Sequence, residues 1–426
     1  MELIQGTRKA SNLSLNDDII SSMPDIVITY ILNHLPIQDA VRTSILARNW
    51  RFKWTLLTQL VFDRDFVKYL YRLYLDGINK NKNKNWYDER IISNLLTHVK
   101  GPITKFYLRV PNDKELNVKD LHNWVLILSR KGIMEFTLLN GNGGELQLEL
   151  PTHIFSCLEL THLKLSYCDI NSIPTCVSFT NLLSLEMLWA TFAIGFCDII
   201  TSCPRLEILK LGNDSHNSSI PKLKLVEITK LTNLKILSFP LCALDSMPIT
   251  NSLIFHLGRY LPKLQELYLS FLDCKFVLQA VSSELVRDSF SYVKTLKLDF
   301  VDFSNSIMLP FALEMVCGCP NLQTLKIRAS YDDYAIPHSP ISSSELNYIT
   351  MGQLQLLNVV FYSFGGLEDE FFLIKNLLAR TPLLKKFTIY IDRRRDFSDY
   401  REKMFAKKLL MFHRASAIAE VDYQCS

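Results

Sequence analysis

Apolar residues fall along most of this chain in one recurring spacing: apolar, two residues, apolar, one residue, apolar. Copies begin at Ile103, Ile133, Leu160, Leu182, Leu206, Leu234, Leu264, Val293, Leu322, Leu354 and Leu384, at steps of 22 to 32 residues. Strict alternation predicts a short strand with one face buried. A unit this small cannot bury its own apolar face, so neighbouring units must stack. Leu160, Leu163, Leu165, Cys168 and Ile170 form the fullest copy, and Leu234, Leu237, Phe239, Cys242 and Leu244 repeat it. Both fill the leucine-rich-repeat template, with a cysteine at the turn.

Other signals agree with this register. Pro204, Pro262, Pro320 and Pro382 each stand two residues before the first leucine of a repeat. A proline there ends a preceding helix and leads the chain extended into the strand. Between strands, apolar residues at spacings of three and four predict helices: Leu121, Trp124, Val125 and Leu128; Leu253, Leu257 and Leu261; Phe311 and Met315. The expected fold class is therefore an α/β solenoid, a curved leucine-rich-repeat domain with parallel strands on its concave face. A small helical module precedes it.

That module covers residues 17–60. Pro24 opens a helical pattern through Ile28, Ile31, Leu32 and Leu35, which Pro36 ends; a second runs through Val41, Ile45 and Leu46 to Trp50 and Trp54. Short helices joined at a proline leave apolar surface without a partner inside the module. Met23-Pro24-Asp25, Leu35-Pro36, Ala40-Val41-Arg42-Thr43-Ser44, Trp50-Arg51 and Trp54 resemble the F-box of plant proteins. Met23, Ala47 and Asn49 depart from its usual residues. Gly101-Pro102-Ile103 with Phe106 and Leu108, Leu128 to Ile133, and Leu150-Pro151 with Phe155-Ser156-Cys157 resemble the entry segment of plant F-box/leucine-rich-repeat proteins. Leu357 to Phe361, Gly365-Gly366, Leu377-Leu378 and Leu384 to Phe387 resemble the FBD segment of the same family.

The organisation expected is an F-box at 17–60, a connecting segment with helices at 61–100 and repeats at 101–350, followed by terminal repeats with an FBD-like segment at 351–426. The resemblance implies the substrate-recognition subunit of an SCF-type ubiquitin ligase. Its F-box would bind a Skp-type adaptor, and through it cullin and RING subunits, with Pro24, Ile31, Leu35, Pro36 and Trp50 at or behind the contact. A repeat-only binding scaffold or inhibitor, its N-terminal helices merely capping the solenoid, is the alternative.

Composition narrows the classes of partner. The net charge of +4, from 47 basic and 43 acidic residues, is too small to predict a nucleic-acid or membrane partner. The stretch Met1 to Asn16 is polar and mixed in charge, so no secretory signal is expected. The ten cysteines follow no framework spacing and read as reduced packing residues of a protein in the cytoplasm or nucleus. Phosphate-binding, nucleophile-elbow and zinc-protease motifs are all missing from the sequence. Neither catalysis nor a metal or cofactor is expected.

Binding chemistry is expected on the outward strand positions. Their middle residues include Tyr107, Lys164, Lys210, Tyr268, Lys297, Lys326 and Asn358, with Glu186 the one acid. Four lysines against one glutamate suit an acidic or phosphorylated protein target, unless they are ordinary solvent-facing lysines. Tyr331 to Ser344, rich in Tyr, Asp, Ser and Pro, is expected to loop over the rim. Surface loops are also expected at Asn79 to Asn85 and at Arg393, Arg394 and Arg395.

Overall fold

The computed structural model describes residues 22–76, 86–112, 114–142, 148–171, 174, 179–192, 196–212, 223–245, 248–331, 352–391 and 399–425. The loops expected at Asn79 to Asn85, at Arg393 to Arg395 and just beyond Tyr331 lie outside these residues. The chain forms two compact units, 1–107 and 108–426.

In the first unit, α1 (Asp25–Asn33) and α2 (Ile37–Arg42) both begin directly after a proline. The carbonyl of Pro24 accepts from the amides of Val27 and Ile28, and that of Pro36 from Asp39 and Ala40. Proline is well suited to these starts because its restricted φ favours the extended backbone that precedes a helix. The second apolar pattern is not one helix. Its first residue, Val41, lies in α2, and the rest forms three short 3₁₀ turns, Thr43–Ile45, Arg48–Trp50 and Lys53–Leu56. The strand β1 (Gln59–Phe62) follows, then α3 (Arg64–Leu75) and α4 (Arg90–His98). Asp63 caps α3, its side chain accepting from the amides of Asp65 and Phe66 at 3.0 Å each. The strand β2 (Lys105–Val110) carries the chain across the boundary between units.

The second unit is built on β3 (Glu135–Asn140), β4 (His162–Ser166), β5 (Ser184–Leu188), β6 (Ile208–Gly212), β7 (Ile236–Pro240), β8 (Glu266–Ser270), β9 (Thr295–Asp302), β10 (Thr324–Ser330), β11 (Asn358–Phe364), β12 (Lys386–Ile391) and β13 (Glu420–Cys425). Each strand pairs in parallel with the next, in chain order. An α/β solenoid is what this order describes. Parallel neighbours need a crossover, and α5 (Val118–Arg130), α6 (Phe196–Thr201), α7 (Leu225–Thr229), α8 (Asn251–Tyr260), α9 (Ser283–Ser289), α10 (Met308–Cys317), α11 (Glu368–Arg380) and α12 (Asp399–Leu410) supply much of it.

The repeat residues make the core as the spacing requires. Leu206, Leu209, Leu234, Leu237, Leu267, Leu296 and Leu325 are each at most 0% exposed, and Leu121, Trp124, Val125 and Leu128 are buried on α5. Cys168 occupies its buried turn position, where its thiol donates to the Ser166 carbonyl. Asparagines also tie successive units together at the turns that lead into strands. The side-chain amides of Asn181, Asn233 and Asn321 donate to the carbonyls of Leu158, Pro204 and Ser291 at 3.1, 3.1 and 2.7 Å.

Two elements differ from the sequence reading. Val360, not Asn358, pairs with Lys326, while Asn358 pairs with Thr324. The repeat therefore starts at Leu356, followed by Val359 and Phe361, all buried. Leu354, Leu357 and Val359 mimic the same spacing two residues earlier, so periodicity alone chose the wrong register. In addition, β13 is a further repeat strand, with Ile418, Val421 and Tyr423 at the template spacing.

Backbone outliers cluster at strand ends and bulges. Tyr167 and Trp189 follow β4 and β5 with φ of 52° and 56°, and their rings stack at 4.8 Å. Phe300 and Ser363, at 59° and 55°, lie where the pairing shifts register within β9 and β11. Such conformations cost about 1–3 kcal/mol each for non-glycine residues. The stacked rings and the amide bonds from Tyr167 to Leu188 and from Trp189 to Gly212 offset part of that.

Candidate functional site: an exposed helical face and a strand face

The helical face belongs to the first unit. On α1, Ile28 and Leu32 point inward and are fully buried, which leaves the remaining apolar residues outward. Ile26 and Tyr30 form one exposed row at a spacing of four; Val27, Ile31 and Leu35 form the adjacent row. Ile45 and Leu46, on and just after the first 3₁₀ turn, are 83% and 70% exposed. Asn33 steadies the end of α1: its Nδ2 donates to Thr58 Oγ1 at 2.9 Å, and its Oδ1 accepts from the Thr58 amide at 3.2 Å. At the other end, Lys53 Nζ meets Asp25 Oδ1 at 2.5 Å. Arg42 lies over the Tyr69 ring at 5.0 Å.

The residues expected to serve the adaptor separate into three kinds. Ile31 and Leu35 present a little over a third of their surface, and Pro24 and Pro36 are exposed at the starts of the two helices. Trp50, at 5% exposure, packs inside the unit, behind the contact surface rather than on it. Its large apolar ring is stabilised by burial, which a small helical module can provide only at its centre. Ile26, Tyr30 and Leu46 escaped the sequence reading as contact residues. For Ile26 and Tyr30 the signal was present, because they fall beside the buried row of α1 on a helical projection, whereas Leu46 follows a 3₁₀ turn with no buried row.

The strand face belongs to the second unit, and register sets its geometry. Lys164, Glu186 and Lys210 are directly paired across β4, β5 and β6. One carboxylate serves both lysines, at 2.6 Å to Lys164 and 2.9 Å to Lys210. Burial pushes the Glu186 carboxyl up, and hydrogen bonds from both lysines outweigh that, holding it below its ordinary value. Tyr268 donates its hydroxyl to Glu266 at 2.6 Å; burial first, then that bond, raises its pKa. Lys297 is paired with Asp299 at 2.6 Å. Lys326 makes no ion pair or hydrogen bond among the described residues. Tyr107, on β2, is half-buried in the first unit.

The face therefore changes character along the sheet. Around β4 to β6 its cations are neutralised by a carboxylate within the same rows. From β9 to β12, Lys326 is joined by Arg328, which lies over the Tyr362 ring at 5.5 Å and 3.9 Å from Asp299. Tyr362 in turn stacks on Tyr390 at 5.1 Å with the rings 4° from parallel. Tyr362 and Tyr390 were missed because each lies two residues beyond the middle outward position of its strand, Val360 and Thr388, and at β11 the register was also read two residues early.

Among the described residues no group of three or more His, Cys, Asp or Glu could hold a metal ion. Eight of the described cysteines, Cys157 to Cys319, are free; burial pushes Cys157, Cys168, Cys203 and Cys274 up to about 12, far from a reactive thiolate. No helix among the described residues is long and apolar enough to cross a membrane.

Comparison with known proteins places these features in context. Residues 20–58 match the F-box domain, and residues 121–239 match the leucine-rich repeats of the FBD-associated F-box protein At5g56370. The F-box/FBD/LRR-repeat protein At1g13570 of Arabidopsis thaliana is 27% identical over 95% of this chain and 98% of its own length. F-box/LRR-repeat protein 13 of the same plant is 24% identical over 95% and 96%, respectively. The FBD-associated F-box protein At4g10400 is 28% identical over 74% and 79%. Among solved structures, an internalin of Listeria monocytogenes covers 86% of this chain and 91% of its own at 13% identity and a TM-score of 0.37.

Proposed function

Because the chain is a plant-type F-box/leucine-rich-repeat protein with an FBD-associated segment, we propose that it is the substrate-recognition subunit of an SCF-type ubiquitin ligase. The observation that carries this reading is the coincidence of the F-box match at 20–58 with an exposed apolar face, where Ile26 is 78% and Leu46 70% exposed. Apolar surface of that kind on a folded module marks an interaction site. Its partner is a Skp-type adaptor, which connects to the cullin and RING subunits. Chemistry belongs to those partners, and this chain contributes proximity by holding a target near the ubiquitin-charged enzyme. It acts where that machinery works, in the cytoplasm or nucleus.

The target is a protein segment that lies on the strand face. The cationic and aromatic region of Lys326, Arg328, Tyr362 and Tyr390 favours an acidic or phosphorylated segment that also carries apolar side chains. Lys164, Lys210 and Lys297, each already paired with a carboxylate, contribute less; Tyr107 and Tyr268 are further contact candidates. A repeat-only scaffold would leave the exposed rows of α1 without a purpose.

Two measurements test the proposal. Co-expression with a Skp-type adaptor should yield a stable complex that survives size exclusion. The chain without residues 17–60 should lose the adaptor yet still capture targets, which then escape ubiquitination. A full chain that is folded but fails to bind the adaptor would overturn the ligase role.

A further inference from the structure

We propose that a cavity on the helix side of the second unit binds a small amphiphilic amine, an apolar body bearing one ammonium group. The cavity, about 940 Å³, lies between α9, α10 and the segment Gly352–Gln355. That volume is at the upper end of the range for small-molecule sites. Its walls are mainly apolar, with Leu278, Val281, Val286, Val316 and Leu354 among them. It is separate from the strand face, because helices and connecting segments form it.

Among the described lining residues, one acid stands in this apolar wall. Glu314 on α10 is only 8% exposed, and its Oε2 accepts from Asn251 Nδ2 at 2.9 Å. Asn251, fully buried, is itself held at both ends of its amide. Its Oδ1 accepts from the Gln279 amide at 2.9 Å, and its Nδ2 also donates to the Gln279 carbonyl at 3.0 Å. The carboxylate is thus oriented from behind. Its other oxygen has no hydrogen-bond partner among the described residues. Arg287, the basic residue among the described lining residues, is exposed on α9 and makes no ion pair among the described residues.

A carboxylate withdrawn from water without a cation is costly, and burial raises the pKa of Glu314 accordingly. An ammonium group at the free oxygen would supply a charge-assisted hydrogen bond, while its apolar body covers the valine and leucine walls. A carboxylate ligand would be repelled, and an alcohol would gain only a neutral bond. The expected order of affinity is amine, then alcohol, then acid.

Calorimetric titration of the full chain, purified with its adaptor, would use phenylbutylamine, phenylbutanol and phenylbutyrate as probes. Saturable binding of the amine, at least about tenfold tighter than the acid, is expected from one charge-assisted contact. Glu314→Gln keeps an acceptor for Asn251 and should remove the preference for amine over alcohol. Ser283→Trp, at an exposed lining position, should abolish binding of both and remains informative if the first variant fails to fold. Absence of saturable amine binding, equal affinity for amine and acid, or amine binding untouched by either folded variant would overturn the proposal. Adaptor binding reports on the F-box separately, so failure here leaves the ligase reading intact.

Discussion

Ile26→Ala combined with Leu46→Ala offers a sharp test of the helical face. Fully burying an isoleucine or leucine side chain is worth about 1.5–3 kcal/mol. With 78% of Ile26 and 70% of Leu46 exposed in the free chain, each has about 1–2 kcal/mol still to gain in a complex. Alanine retains a fraction of that. The double variant should therefore lose about 2–3 kcal/mol of adaptor affinity, roughly 30- to 150-fold in Kd. Folding should be almost untouched, within about 0.5 kcal/mol, because these side chains pack on little in the free protein. Trp50→Ala should behave in the opposite way, costing about 3–5 kcal/mol of stability through its buried ring. Calorimetric titration against the adaptor, with thermal melts on the same samples, separates the two effects. If the folded double variant binds within about threefold of the parent, less than ~1 kcal/mol, this face is not where the adaptor docks.

Three further outcomes follow from the second unit. Glu370 is wholly buried at the start of α11, where burial pushes its carboxyl up to about 7 against hydrogen bonds from Tyr331 and the amides of Leu367, Gly365 and Gly366. A carboxyl raised in the folded state favours folding most below its ordinary value of 4.5. That stability, about 3 kcal/mol, is lost as pH rises through about 7. Urea denaturation at acid and alkaline pH should show a shallower pH dependence in Glu370→Gln, and parallel curves would contradict the assignment. Glu186→Gln should cost about 0.5–1 kcal/mol near neutrality, since partly exposed pairs are weak. Because the Glu186 carboxyl is held low, this difference should vanish as pH falls through its depressed pKa; a difference that persists in acid would point to packing instead. Finally, Lys297→Glu with Lys326→Glu should weaken target capture and flatten its salt dependence while adaptor binding is unchanged. Undiminished capture, insensitive to salt, would leave these lysines as solvated surface.

Much of the fold was legible because its core is one-dimensional. Leu209, Leu237, Leu267, Leu296 and Leu325 are adjacent in space for the same reason that they recur in sequence: each sits at one template position in a parallel stack. The helical module was legible through Pro24 and Pro36, whose restricted backbones mark where two helices start. The sites were less legible. Whether a lysine is available depends on its neighbour across the strands, and Glu186 lies 22 residues from Lys164 and 24 from Lys210. Nothing local announces that one carboxylate holds both. At β11 the failure was different: Leu354-Leu357-Val359 and Leu356-Val359-Phe361 satisfy the same spacing, and only pairing with β10 distinguishes them. Trp50 shows a third limit, since a motif residue can be required for the shape of a surface without being part of it.

Alternation along the strands separates two tasks that most folds entangle. Inward positions such as Leu267 and Leu325 determine whether the stack holds, whereas their neighbours Tyr268 and Lys326 determine what the stack meets. A change at the second kind of position leaves the first undisturbed. The strand face can therefore be re-addressed, one row at a time, without renegotiating the architecture beneath it. Two chains that differ only in those rows would present different surfaces while remaining interchangeable as folded objects. For engineering, the same separation suggests a library confined to the rows around Lys326, Arg328, Tyr362 and Tyr390, screened for new targets on an unaltered frame.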